Sequence, residues 1–294
     1  MISVIMPIKQ LNLKCLPSIN SVLCQDVILE LIIVVDGPNS IYNDINFDND
    51  NRVKIIELEK NIGPGSAINI GYKQTKYDII TVHDSDDISE PGRFRILLEE
   101  MGEFQAISSW VKAIKQNRTK IKKFNPTLFV IHTGKKYVAS PPAHHCATFI
   151  RRDLWDIIGE YEPLIASDSQ RMFKMGIYLW LSNSQLKMVQ LPLYNYFIHS
   201  ESYSQKNKSM RRHWMGRRRS KIISGWASIQ KMKPRQFLSW WELEYKDLII
   251  EWVFRNDNNI VTAKKLREIN KIKIKKKELA LKRRTKVIRS RSKK

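Results

Sequence analysis

Four short apolar runs, alternating with stretches of helical spacing, constrain this chain more than any other feature. They are Ile2 to Ile8, Glu30 to Val35, Val53 to Leu58 and Ile79 to Val82, and they read as buried strands. Leu16, Ile19, Val22 and Leu23 recur at helical spacing within Leu13 to Gln25. Ala67, Ile70 and Gly71 share one face of a segment from Ala67 to Thr75, and Pro91 to Met101 reads as a third helix. Strands alternating with helices at these lengths require right-handed crossovers and predict an α/β fold with a mainly parallel sheet. Ligands of such sheets bind beyond the carboxyl ends of the strands. Two acidic turns lie there: Asp36-Gly37-Pro38 and His83-Asp84-Ser85-Asp86-Asp87.

Further along, strands are expected at Thr127 to His132 and Ala147 to Arg151, and a helix over Asp168 to Leu179. Ser200 to Arg219 reads as a mobile basic loop, and Gln236 to Phe254 as a helix. Ala263 to Lys286 reads as helical at least in part, and Arg289 to Lys294 as disordered. With 294 residues and 43% hydrophobic content, the chain can bury one sizeable core with an appendage. The expected division is 1–205 for the α/β domain and 206–294 for a basic, mostly helical extension.

No apolar run approaches the roughly 18–20 residues that span a bilayer. The start, Met1 to Pro7, has no basic segment before a long apolar stretch, so no signal peptide is expected. Cys15, Cys24 and Cys146 form no CxxC pair, which predicts neither a disulfide framework nor a zinc knuckle. A reducing, cytoplasmic setting is the default that follows.

Three carboxylates within Asp84 to Asp87 repel one another, and a hard divalent cation, magnesium or manganese, would relieve that repulsion. Such a cation can neutralise a diphosphate as it leaves. The plainer alternative is a solvated acidic turn. Asp36 likewise is either a ligand-binding residue or a turn aspartate bonded to its own backbone. Asp168 is either a general base or a helix N-cap.

These residues stand in an order that resembles the family 2 glycosyltransferases. The pattern comprises Ser3 to Pro7, Leu16 with Ser18 to Gln25, Ile33 to Gly37, Asn61-Ile62-Gly63, Ala67, Asn69, Gly71 and Asp84 to Asp87. The match is close over about 1–100 and looser over about 140–205, where His144 to Arg152, Ile158 to Tyr161, Ser167-Asp168, Lys174 and Gly176 follow the acceptor half. The resemblance implies a GT-A fold, a nucleotide-sugar donor, expected to be UDP-linked, and inversion at the anomeric carbon. It places Pro7, Asp36, Asn61, Gly63, Asp84 and Ser85 at the nucleotide sugar and Asp86 on the metal, with His199 reaching the metal or diphosphate. It makes Asp168 the catalytic base. His144 and His145 would shape the acceptor site, and Arg211 and Arg212 would meet acceptor or diphosphate. Three departures stand out: His83 before the acidic cluster, Ser167 where the family usually has Glu, and Phe197 where an arginine is common, for which Arg211, Arg212 or the Arg217-Arg218-Arg219 run would substitute. Zinc is not expected, because no thiolate or third histidine stands at ligand spacing.

The net charge of +22 is concentrated at one end. Residues 201–294 hold 29 Lys and Arg against 8 Asp and Glu, whereas residues 1–100 carry a net −6. A basic third points to a polyanionic partner. DNA is the first reading, with a hydroxymethylated base as acceptor and Trp240 and Trp241 available to stack on bases. An anionic membrane surface carrying a glycan acceptor is the second. The third is a basic helical appendage packed through its tryptophans. A catalytically dead binding module is the non-enzymatic alternative, against which stand Asp36, Asp84, Asp86 and Asp168.

Overall fold

The computed structural model describes residues 1–38, 47, 50–116, 118–125, 130–132, 137–139, 141–162 and 167–243. Its strands are β1 (Ile2–Ile8), β2 (Leu29–Val35), β3 (Val53–Glu57), β4 (Ile79–Val82), β5 (Ile88–Ser89), β6 (Ala106–Lys115), β7 (Arg118–Lys122), β8 (Val130–His132), β9 (Tyr137–Ala139), β10 (Thr148–Arg151) and β11 (Lys187–Phe197). Its helices are α1 (Leu16–Leu23), α2 (Pro64–Tyr72), α3 (Arg93–Met101), α4 (Arg152–Ile158), α5 (Ser167–Leu181), α6 (Tyr203–Lys206) and α7 (Lys208–Ile229), followed by a helical stretch over 234–243. Met1–Leu238 forms one compact unit, and Ser239–Lys294 a second.

Nine strands make one sheet, in the order β3-β2-β1-β4-β10-β6-β11-β5, with β7 beside β6. The expected parallel half is β3-β2-β1-β4. The other half is mixed, because β10 runs antiparallel to both β4 and β6, and β5 runs antiparallel to β11. Pro192 lies at a register shift in the β6–β11 ladder, where a residue without an N–H cannot complete the pairing.

Period-2 alternation divides the core between the two faces of the sheet. Ile2, Val4, Met6, Ile8, Leu31, Ile33 and Val35 pack with α1 and α3, through Ile19, Val22, Phe94 and Leu97. Ile5, Ile32, Val34, Ile80 and Val82 pack on the opposite face with α2, α4 and α5, through Ala67, Leu154, Trp155, Met172 and Met175. Strands covered on both sides are largely apolar, which is why they read as near-continuous runs, with buried Ser3 and Glu30 hydrogen-bonded to each other.

The expected loop over Ser200 to Arg219 is instead helical, in α6 and the first half of α7. Met215, Ile222 and Ile229 recur every seven residues and are buried, and Trp226 stacks on Trp180 of α5 with ring centroids 5.4 Å apart. These buried residues give the otherwise basic helix an inward side, and Trp226 joins it to α5. The helix expected over Gln236 to Phe254 is present as far as 243. Its remainder, Ala263 to Lys286 and Arg289 to Lys294 lie outside the described residues. Among the described residues no helix is long and apolar enough to cross a membrane.

Gly71 sets how closely α2 lies on the sheet. A Cβ there would stand 2.6 Å from Ile5 Cγ2 and 3.0 Å from Val34 Cγ2, both on strands that cannot retreat. Gly71→Ala should therefore destabilise the fold by about 1–3 kcal/mol through overpacking, despite alanine's better helix propensity. Urea unfolding would measure this as a lower midpoint.

Candidate active site

β1, β2 and β4 end together, and the chain leaves the sheet at that edge through Asp36 and His83. The Asp36 amide donates to Ile8 O at 2.8 Å and the His83 amide to Ile5 O at 2.9 Å. Asp36 is buried, and its two carboxylate oxygens accept the amides of Ile62 at 2.7 Å and Gly63 at 2.9 Å. Asn61 Nδ2 donates to Asp36 O at 2.9 Å. Gly63 has φ +86°, open to glycine and strained for other residues. Asp36 thus bonds across 26 residues to the loop before α2, rather than to its own turn. Pro7 pairs with Val34 one residue before the same edge.

Asp84 to Asp87 form a turn closed by the Asp87 amide on Asp84 O at 3.3 Å. Beneath it runs a buried polar relay. Arg93 Nη1 donates to Ser89 Oγ at 2.8 Å, and Ser89 Oγ lies 3.0 Å from His83 Nε2. His83 Nδ1 lies 2.9 Å from Asp84 O, which also accepts Ser18 Oγ at 2.9 Å. Burial, with the Arg93 charge close by, pushes the His83 pKa down to about 3. The ring is therefore neutral, and this network fixes its tautomer: Nδ1–H donates to Asp84 O, and Nε2 accepts from Ser89. The residue that departs from the family pattern here holds the acidic turn from below.

The carboxylates occupy three different settings. Asp86 is exposed, and its Oδ2 lies 2.7 Å from His199 Nε2. Asp84 is partly open; burial, then the charges of Asp86 and Asp168, raise its pKa, and His145 opposes them. Asp87 is fully buried. Its Oδ1 accepts the Phe197 amide at 2.8 Å, while Oδ2 is sealed in without a hydrogen bond. The Tyr194 hydroxyl stands close by and favours the ionised carboxyl. Burial and the two neighbouring aspartates push Asp87 well above the usual carboxylate range. Oxygens of all three carboxyls lie within 4.8 Å of one another. A buried oxygen with no partner, among convergent hard donors, fits a magnesium or manganese ion.

Asp168 stands at the start of α5, where Ser169 Oγ donates to its Oδ2 at 3.3 Å, and its charge is felt at Asp84. Two contacts order the segment between α4 and α5, one from α2 and one from α5 itself. Asn69 Nδ2 donates to Tyr161 O and Asn69 Oδ1 accepts the Tyr161 amide, both at 2.8 Å. Buried Arg171 donates to Gly159 O and lies 4.2 Å from the Trp155 ring centroid and 4.8 Å from that of Tyr161.

The family comparison places residues 3–158, just over half the chain, in the Glycosyl transferase family 2 model. The chain is a member of glycosyl transferase family 2. Over 96 residues it is 35% identical to the UDP-Gal:alpha-D-GlcNAc-diphosphoundecaprenol beta-1,3-galactosyltransferase of Escherichia coli, covering 30% of this chain and 34% of that one. Over 114 residues it is 30% identical to an uncharacterized glycosyltransferase of Methanocaldococcus jannaschii, covering 36% and 39%. It thus spans little more than a third of these curated relatives. Among solved structures, S. aureus TarS aligns with TM-score 0.51 at 17% identity, over 68% of this chain and 37% of that chain. Its 1–349 fragment in complex with UDP-GlcNAc aligns with TM-score 0.50 at 18% identity, over 69% and 61%. At that identity the likeness concerns the fold alone, and it is the GT-A fold expected from sequence.

In this family 2 domain the structure gathers Asp84, Ser85, Asp86, His145 and His199 at one strand end, with Asp36, Asn61 and Gly63 at the neighbouring one. His144 stacks among His145, Tyr194 and Tyr196, at centroid distances of 5.6, 5.8 and 5.0 Å. Arg212 is exposed on α7; Arg211 falls on the same helix, and its side chain lies outside the described residues. Sequence reasoning passed over Arg93, Ser89 and Tyr194. Only Arg93 gave a signal, as an arginine on the apolar face of α3. Asp36→Asn would set an amide N–H₂ against one of the two loop amides, costing about 1–3 kcal/mol. The expected outcome is a lower thermal midpoint together with a raised KM for the donor.

Proposed function

We propose that this family 2 domain transfers a sugar from a UDP-linked donor to a hydroxyl of a glycan carried on a lipid diphosphate, at an anionic membrane surface. The observation that carries the reading is the convergence of Asp84, Asp86 and buried Asp87 at the end of β4, with the Asp168 charge acting on the same place. A magnesium or manganese ion held by those three aspartates would supply positive charge to the donor's diphosphate. Asp36, with the Asn61–Gly63 loop it clamps, and Pro7 receive the nucleoside, and Asp84 and Ser85 lie beside its ribose. His199 steadies Asp86. Asp168 takes the acceptor proton while the acceptor oxygen bonds to the anomeric carbon. The bond from that carbon to the diphosphate breaks, and UDP leaves with the electron pair. Attack opposite the leaving group inverts the centre. His144 and His145 line the acceptor side, and Arg211 and Arg212 stand ready for acceptor or diphosphate.

The E. coli relative's diphosphoundecaprenol acceptor supports a lipid-linked substrate here. The basic end supports an anionic surface: Lys208, Arg212, Arg219 and Lys221 are all exposed on α7. The same charge would also draw DNA, and the experiment separates the two. Purified protein with manganese and a panel of UDP-, GDP- and dTDP-sugars is assayed for nucleoside diphosphate release. Anionic vesicles bearing a diphospholipid-linked sugar, or DNA with hydroxymethylated bases, are then added. Release from a UDP-sugar stimulated by the vesicles is expected; stimulation by DNA alone would replace the lipid reading, and silence with every donor would remove the transferase.

Two substitutions test the roles. Asp86→Ala should lower metal-dependent turnover by about 100-fold or more. Asp168→Asn should lower kcat by about 10²- to 10⁴-fold with donor binding little changed by calorimetry. Normal turnover in Asp168→Asn would remove it as the base.

A further inference from the structure

Cys146 is the polar residue of the cleft that the transfer chemistry leaves unused. It is fully buried, in the short turn His145–Ala147 that leads into β10. Its Sγ lies 3.1 Å from His145 Nε2, and that nitrogen lies 3.9 Å from Asp84 Oδ2. One thiol sulfur, one imidazole nitrogen and one carboxylate oxygen all fall within 4.8 Å of one another. Sequence spacing argued against zinc because no thiolate or third histidine stands at ligand spacing; the fold instead brings a carboxylate to His145 and Cys146 from the end of β4.

The geometry suits a particular class of ion. A tetrahedral zinc ion, with a metal–sulfur distance of about 2.3 Å and metal–nitrogen and metal–oxygen distances of about 2.0–2.2 Å, keeps its donors roughly 3.3–3.6 Å apart. The observed separations are 3.1 Å from Sγ to Nε2, 3.7 Å from Sγ to Nδ1 and 3.9 Å from Nε2 to Asp84 Oδ2, so the donors are close enough to share one ion once the His145 ring turns to aim Nε2 between the other two. The turn is held in place: Arg93 Nη2 donates to Cys146 O at 2.5 Å, and Thr148 Oγ1 to His144 O at 2.7 Å. Mixed sulfur and nitrogen donors favour zinc-like ions, whereas the all-carboxylate group at Asp84, Asp86 and Asp87 favours magnesium or manganese. The Asp84 side chain is 32% exposed and that of His145 11%, so an ion can enter from the Asp84 side.

We propose that Asp84 Oδ2, His145 Nε2 and Cys146 Sγ form a second cation site, for a thiophilic divalent metal of the zinc class, whose occupation inhibits the domain. Asp84 belongs to both groups. A soft ion draws its carboxylate toward His145 and away from Asp86 and Asp87. On binding, the thiol S–H bond is replaced by a sulfur–metal bond and the proton passes to solvent, with no change of oxidation state. One coordination position remains for water.

The site can be read without any activity, so its failure and that of the transferase reading are distinguishable. The full chain is titrated with Co²⁺ and followed in the near ultraviolet. A thiolate-to-cobalt band saturating at one equivalent is expected, displaced by Zn²⁺, lost in Cys146→Ser and in His145→Gln, and kept in Cys15→Ser and Cys24→Ser. His145→Gln serves if the buried Cys146→Ser variant does not fold, as judged by circular dichroism. No band in the wild type, a band that survives both site substitutions, or one lost with Cys24→Ser overturns the site. Where manganese-supported donor turnover is measurable, half-inhibition of Cys146→Ser should need about 10-fold more zinc or beyond; equal sensitivity overturns the inhibitory role.

Discussion

Asp87 is buried with one carboxylate oxygen on the Phe197 amide and the other sealed in near the Tyr194 hydroxyl, directly beside two further aspartates. Removing an ionised carboxylate from water costs several kcal/mol unless charge and hydrogen bonds return it. The protein returns only part. Arg93 is a buried cation whose pKa is pushed down to about 10 by burial. Its guanidinium lies 4.7 Å from the Tyr194 ring centroid and 5.3 Å from that of Phe149. The remaining deficit is what a divalent ion would fill, and the surrounding structure keeps the turn from relaxing outward instead. Ser18, His83, Ser89 and Arg93 hold its backbone from beneath, and β5 ties the residues that follow to β11.

The cleft around that turn is assembled by side chains that reach across long sequence separations. Asp36 fixes the loop before α2, and Asn69 within α2 holds both backbone groups of Tyr161. Gly65 completes the join, since a Cβ there would stand 2.8 Å from Ser167 Oγ. The nucleoside side of the cleft and the helix bearing Asp168 are thus connected through α2. An open cavity of about 650 Å³ lined by Gln25, Asn51, Arg52 and Tyr77 lies at the opposite end of the strands, away from every acidic residue of this site.

How far the fold could be read from sequence follows from which interactions are local. The parallel half announced itself, since strands covered on both faces are largely apolar and end at turn residues. The acidic cluster was legible for the same reason, lying where the strand stops. The antiparallel placement of β10 was not, because strand direction depends on partners that periodicity does not name. α7 was misread because arginines and lysines interrupt its apolar pattern; among the described side chains of the helix, Met215, Ile222 and Ile229 are the buried apolar ones. The relay under the turn was invisible, as His83 and Arg93 carry their meaning only once Ser89 joins them. The donor set at Cys146 was hidden for a similar reason: two of its members are adjacent in sequence and the third is 61 residues away.

The helical state of α7 changes what the basic charge can do. On a loose tail, charge would tether the domain to a polyanion at no fixed orientation. Lys208, Arg212, Arg219 and Lys221 instead project from a helix whose apolar stripe is buried in the same compact unit as the acidic cluster. That helix packs on α5, where Trp226 meets Trp180. Twelve residues separate Trp180 from Asp168 along α5, about 18 Å of continuous helix. An anionic surface gripping α7 therefore bears on the same rigid element that carries the proposed base, which fixes the distance between surface and acceptor hydroxyl far better than a flexible linker could. If the proposed lipid-anchored acceptor is the substrate, that distance decides whether its hydroxyl reaches the cleft, and the charge would then serve positioning as well as attraction.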